Sequence, residues 1–252
     1  MWPRRLGLLL AVCTFGFALS ACGGGTASSN GSGTRVLPDA VRFAPLAATP
    51  APLPSTIVLK PGGVNGLDNQ FDPPNSDAPA GGHGADVDGI ACLPHMIENQ
   101  YHVHAFIGLL VDGRQIAIPD QIGMVDPAKP VNGYTNVAHC FYGIHTHDAS
   151  GMIHFEFASK EPKSGSLFDL GNVLDIWGQK ITPTSFGPYH GPVHIFYTYT
   201  ALRNLYSGIW TEYTGTDPRS IKIYSHFSLF IEVGRAIVPA SNLPRIRFYT
   251  EY

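Results

Sequence analysis

The sequence predicts a mainly β protein: an antiparallel β-sandwich or barrel-like domain with one short helix. Three observations lead there. Glycine and proline number 28 and 21 in 252 residues, about a fifth of the chain where about an eighth is ordinary. Charged residues make up only 14%, well under the usual quarter, so the chain is too poor in Lys and Glu for a helical bundle or coiled coil. Short apolar or alternating runs recur between turn-forming residues, the pattern of short strands. With 44% hydrophobic and 11% aromatic residues, the chain can bury a core and does not read as disordered. A net charge of −3 offers no electrostatic footprint for nucleic acid.

The N-terminus is an address. Arg4 and Arg5 precede an apolar run from Leu6 to Leu19, too short to span a hydrocarbon core of about 30 Å and of the size of a secretory signal core. It ends in Leu19-Ser20-Ala21-Cys22, which resembles the processing box of bacterial lipoproteins. That resemblance implies cleavage before Cys22 and acylation of Cys22 on sulfur and nitrogen. Several acyl chains anchor stably where one does not. Glycine rather than aspartate follows Cys22, so nothing signals retention at an inner membrane. The expected location is the bacterial cell envelope, outside the cytoplasm (the outer membrane where there is one).

Residues 1–21 are thus the signal peptide and 22–56 a flexible, lipidated tether of Gly, Ser, Thr, Ala and Pro, which cannot offset its ordering entropy. Residues 57–252 form a single β-rich domain with its core at about 85–250. Ile57 to Lys60 is a first strand, and 61–89 is loop. Leu109 to Ile118 is a hairpin around Asp112-Gly113, a dipeptide suited to a type I′ turn. Further strands are expected at Phe141–His147, Met152–Phe157, Val193–Thr200, Ile221–Tyr224, His226–Val233 and Arg245–Thr250. The helix is Leu170 to Trp177, stopped by Gly178.

Four cysteines occur in the chain. Cys13 leaves with the signal and Cys22 is lipidated, so Cys92 and Cys140 remain as an even pair outside the cytoplasm. A disulfide between them is the economical expectation. Each precedes a histidine-bearing strand, so the bridge would hold those strands near each other.

The 11 histidines are informative by placement. Tyr101-His102-Val103-His104-Ala105 alternates, so His102 and His104 share one face. Gly143-Ile144-His145-Thr146-His147 alternates too, followed by the turn composition Asp148-Ala149-Ser150-Gly151 and then Met152-Ile153-His154-Phe155-Glu156. A hairpin with an even-length loop pairs 147 with 152, 146 with 153 and 145 with 154. His145 and His154 are then cross-strand neighbours, with His147 and Glu156 on the same face. A single histidine on a strand is usually an ordinary polar residue. Five at strand spacing in two segments form a candidate transition-metal site: His102, His104, His145, His147 and His154 for zinc or copper more readily than iron. Glu156 is either a further ligand or a general base acting on metal-bound water, and Asp148 either caps the turn or holds a histidine tautomer. His83, His95 and His139 lie in loops, although His139 adjoins Cys140. His190, His194 and His226 are weaker candidates, and Asp86 and Asp88 lack a full calcium-loop pattern.

The segments Tyr101-His-Val-His-Ala, Cys140-Phe-Tyr, His145-Thr-His-Asp-Ala-Ser-Gly, Ile153-His-Phe-Glu and Asp175-Ile-Trp-Gly-Gln resemble an uncharacterised group of secreted bacterial proteins over residues 86–234. The resemblance implies an exported β-rich domain and carries no activity with it. Metallo-β-lactamase and cupin patterns fit badly: Asp148 follows His147 directly, and no glutamate stands three or four residues beyond the His145–His147 pair. The function expected is a lipid-anchored envelope protein that binds a transition metal through a histidine-rich sheet face, with the membrane as partner. Two alternatives remain: a metal-dependent hydrolase or oxidase using Glu156 as base, and a non-metal interaction or structural domain.

Overall fold

A computed structural model describes residues 52–67, 83–97, 101–158, 168–199 and 208–248. The expected signal peptide, the expected lipidation site Cys22 and most of the expected tether lie outside the described residues, as do Thr200 and Thr250 at the ends of two expected strands.

The described strands are β1 (Thr56–Val58), β2 (Cys92–Leu93), β3 (Tyr101–Val111), β4 (Arg114–Ile116), β5 (Met124–Val125), β6 (Cys140–Tyr142), β7 (Ile144–His145) and β8 (Met152–Phe157). The helix α1 (Leu170–Trp177) follows, and then β9 (Ile181–Thr182), β10 (Ser185–Phe186), β11 (Tyr189–His190), β12 (Val193–Tyr199), β13 (Thr211–Glu212), β14 (Phe227–Val233) and β15 (Arg245–Arg247). The largest sheet runs β13-β12-β14-β3-β8-β7, with β4 folded back on β3. Smaller sheets pair β1 with β15, β2-β6-β5, and β11-β10-β9. The protein is mainly β with several antiparallel sheets, and the described strands form no closed barrel, a sandwich-like arrangement. Two ladders are parallel, β3 with β14 and β1 with β15.

Local chemistry accounts for the elements that agree with expectation. Asp112 and Gly113 both take positive φ, 47° and 74°, the requirement of a type I′ turn, and Val111 pairs with Arg114 across it. Asp169 caps α1 in a reciprocal capping box with Asn172, and Gly178 ends it at φ 74°. β8 spans the expected residues, and β12 and β14 nearly so. Two expectations fail. Phe141–His147 is not one strand but β6 and β7, which join different sheets on either side of Gly143. A Cβ at Gly143 would lie 2.5 Å from the Phe157 ring and 2.7 Å from the Glu156 carbonyl, so the chain crosses there only as glycine. Ile221–Tyr224 is no strand, because the Ile221 N–H closes a 3-10 turn on Pro218 and the Ile223 N–H bonds Phe168.

Alternation along β3 divides the core. Ala105, Ile107 and Leu109 face a large cluster with Phe155, Leu229, Ile231 and the α1 residues Val173, Leu174 and Trp177. Phe106 and Leu110 face the opposite way, onto Met152, Phe196, Phe230, Ile57 and Ile246. His102 and His104 share the parity of Phe106. The histidine face therefore continues the smaller core at one end of the central sheet.

Candidate metal centre

The register of three neighbouring strands assembles the site. β3 pairs with β8 so that His102 lies opposite Glu156 and His104 opposite His154. β7 pairs with the other edge of β8, placing His145 opposite His154 as the hairpin argument expects. The expected pairs 146–153 and 147–152 do not form. Thr146 turns away, its N–H bonding Ile122 and its hydroxyl Pro119, and His147 reaches the site from beyond the end of β7. The disulfide is present between Cys92 and Cys140, with Cα atoms 5.5 Å apart. It holds β2 to β6; the approach of His102 and His104 to His154 comes from strand pairing instead.

His104, His145, His147, His154 and Glu156 are all buried, whereas the His102 side chain is 30% exposed. Two backbone carbonyls orient the first pair of rings. Nδ1 of His145 lies 2.9 Å from the Tyr142 carbonyl oxygen, and Nδ1 of His147 bonds the Thr135 carbonyl. A carbonyl only accepts, so each Nδ1 carries the proton and each Nε2 presents a bare lone pair. Those two Nε2 atoms are 3.0 Å apart. Facing lone pairs at that distance repel unless a cation lies between them. In a tetrahedral zinc site neighbouring nitrogens are about 3.3 Å apart, and a ligating histidine ordinarily donates its other N–H to a carbonyl or carboxylate. Tyr134 stacks on His147 with ring centres 4.5 Å apart and planes 13° apart, fixing the ring from its open side.

Glu156 occupies the centre. Its Oε1 is 3.2 Å from Nε2 of His102, 3.4 Å from Nδ1 of His154 and 3.7 Å from Nε2 of His145. Its Oε2 is buried with no hydrogen-bond partner among the described residues, a cost of about 1–3 kcal/mol or more when left unmet. Ligand atoms of His145, His147, His154 and Glu156 lie within 4.8 Å of one another, and so do those of His102, His104 and His154. These buried groups can hold a metal ion.

Burial keeps the imidazoles neutral, as ligands must be. It lowers the pKa of His104 to about 3, assisted by His102, His226 and His147. It also holds His147 below, and His145 and His154 well below, the ordinary value of 6.5. The unfolded chain takes up protons as pH falls through about 6.5 while the folded metal-free site does not, so stability falls with pH below that point. Each such histidine contributes roughly 1.4 kcal/mol per pH unit over that window. Metal-free protein is expected to show a urea midpoint that drops steadily from pH 7 to pH 5. A flat profile would contradict a buried neutral cluster.

Other expected residues play different parts. Asp148 holds no histidine. Its carboxylate accepts from the Gly62 and Ser150 N–H groups at 2.9 and 3.0 Å, capping the turn and tying a distant loop to it. His194 pairs with Glu212 at 2.7 Å on the surface, and Asp88 accepts from Asn172. His83, His95 and His190 are exposed and outside the cluster. His139 is likewise exposed and outside it, and the His226 ring packs edge-on against Phe248.

The orienting carbonyls of Thr135 and Tyr142 leave no residue-type signal in the sequence, and nothing in the sequence pairs the Tyr134 ring with His147. Gly123 escapes sequence reasoning too. At φ 73° its Cβ would lie 2.2 Å from the Ile144 carbonyl oxygen and 3.1 Å from His145 Cβ. Gly123→Ala is expected to cost about 2 kcal/mol or more through strain and displacement of β7, and to weaken metal binding in parallel. Equilibrium unfolding and zinc titration would check it.

Comparison with family models, curated proteins and solved structures finds no match. The chemistry of the site therefore carries the functional reading. No helix among the described residues is long and apolar enough to cross a membrane.

Proposed function

We propose that this is a lipid-anchored cell-envelope protein that binds a transition metal at the buried end of its central sheet. The primary ion is held by His145, His147, His154 and Glu156. The observation that carries this is the pair of Nε2 lone pairs 3.0 Å apart, each aimed by a carbonyl behind its ring. Three imidazoles and one carboxylate suit zinc or copper best, and iron less well. The tether from Cys22 would hold the domain off the bilayer surface.

A binding or metal-handling role is favoured over catalysis on a bulky substrate. The cavity lined by His95, Met96, Ile97, His145 and Glu156 measures about 10 Å³, room for about one water. Glu156 faces three imidazoles through one oxygen, the position of a ligand rather than of a free base.

Elemental analysis of untagged protein released from washed membranes tests the reading. One or more equivalents of zinc or copper per chain support it. Metal-free protein that neither binds nor is stabilised by added Zn²⁺ or Cu²⁺ would sink it. The anchor has its own test: Cys22→Ala protein should lose acyl-chain labelling and leave the membrane fraction.

A further inference from the structure

We propose that the centre holds two metal ions, with Glu156 as the bridging carboxylate and His102 and His104 as ligands of the second ion. This rests on the metal-binding reading above.

The donors are too many for one ion, and they are continuous. From His147 Nε2 the steps run 3.0 Å to His145 Nε2, 3.7 Å to Glu156 Oε1, 3.4 Å to His154 Nδ1 and 3.2 Å to His104 Nε2. His102 Nε2 branches from Glu156 Oε1 at 3.2 Å. A four-coordinate ion leaves two of the six donors unused. A single octahedral ion with bonds of about 2.1 Å needs all six donors within about 4.2 Å of one another. The donors fall instead into two overlapping sets that share His154: His145, His147, His154 and Glu156, and His102, His104 and His154.

Glu156 meets both sets. Its Oε1 faces His102 from the second set and His145 from the first, while its buried Oε2 has no hydrogen-bond partner among the described residues. A carboxylate with donors of two ions on either side is the common bridge of two-metal centres, whose ions sit about 3.5–4 Å apart. The two positions differ in access. The first is enclosed by buried residues, whereas the second includes His102, the one partly exposed ligand. The second ion would enter and leave more readily.

Untagged full-length protein, stripped with chelator, reloaded with Zn²⁺ and freed of excess, is expected to retain two zinc ions per chain. His102→Ala/His104→Ala protein should retain one. Copper supplies a readout that needs no variant: wild-type protein loaded with Cu²⁺ should show a spin-coupled electron paramagnetic resonance signal from two neighbouring ions. One zinc per chain in the wild type, or only isolated-copper spectra at saturation, overturns the second ion and leaves the single-ion reading standing. No bound zinc or copper at all overturns both readings.

Discussion

Saturating Zn²⁺ is expected to raise the thermal midpoint of the wild-type protein and to raise that of His147→Asn by clearly less, only the ligands of the second ion being intact there. Metal that binds only the folded chain at 100 times its dissociation constant adds about 2.7 kcal/mol. For a unit of this size that is roughly 5–10 °C. The comparison with zinc separates ligation from packing. Replacing a buried ring stacked on Tyr134 lowers stability with or without metal, but only loss of the Nε2 ligand shrinks the increment that zinc supplies. Metal-free His147→Asn also escapes the repulsion between facing lone pairs, so its deficit relative to wild type should be smaller without zinc than with it. Equal zinc-induced shifts in the two proteins, followed by scanning calorimetry, would show that His147 is not a ligand.

Removing the disulfide, by reductant or as Cys92→Ser/Cys140→Ser, is expected to cost about 4 kcal/mol. The bridge joins residues 48 apart in sequence, and restricting a loop of that length in the unfolded chain is worth roughly that much on the chain-entropy account. Against a total stability of about 5–15 kcal/mol, the loss is severe. It should also reach the metal. The bridge pins β2 against β6, and β6 ends in Tyr142, whose carbonyl sets the tautomer of His145. The segment following β2 contributes His95, Met96 and Ile97 to the cover over His145 and Glu156. Denaturant unfolding with and without reductant gives the stability, and chelator competition gives the metal off-rate. A protein whose zinc release is indifferent to reductant would show that this cover does not govern retention.

Much of this was legible because the relevant physics is local. An Asp-Gly turn needs two positive φ values from adjacent residues, and Asp112-Gly113 announces them. Gly178, closing the run from Leu170 to Trp177, announces the end of α1. Alternation in 101–105 and 152–156 tells which side chains share a face, whatever strand lies alongside. The parity of the His145–His154 pair follows from the turn composition between them. Compartment chemistry and an even count pointed to Cys92 and Cys140.

What tertiary structure decided is non-local. Nothing in residues 101–111 says that β8 will lie on one side and β14, parallel, on the other. That choice depends on which apolar faces bury the most area together, and it is what sets His104 against His154. The Phe157 ring and Glu156 carbonyl leave no room for a Cβ where the chain crosses between sheets at Gly143, and the bonds of Thr146 to Ile122 and Pro119 took His147 out of the ladder. The carbonyls of Thr135 and Tyr142 fixed the tautomers. The residue types and faces of a metal centre were written in the strand alternation. The aim of each lone pair was set only when distant backbone closed around the rings, because side-chain periodicity carries no information about carbonyls from elsewhere in the chain.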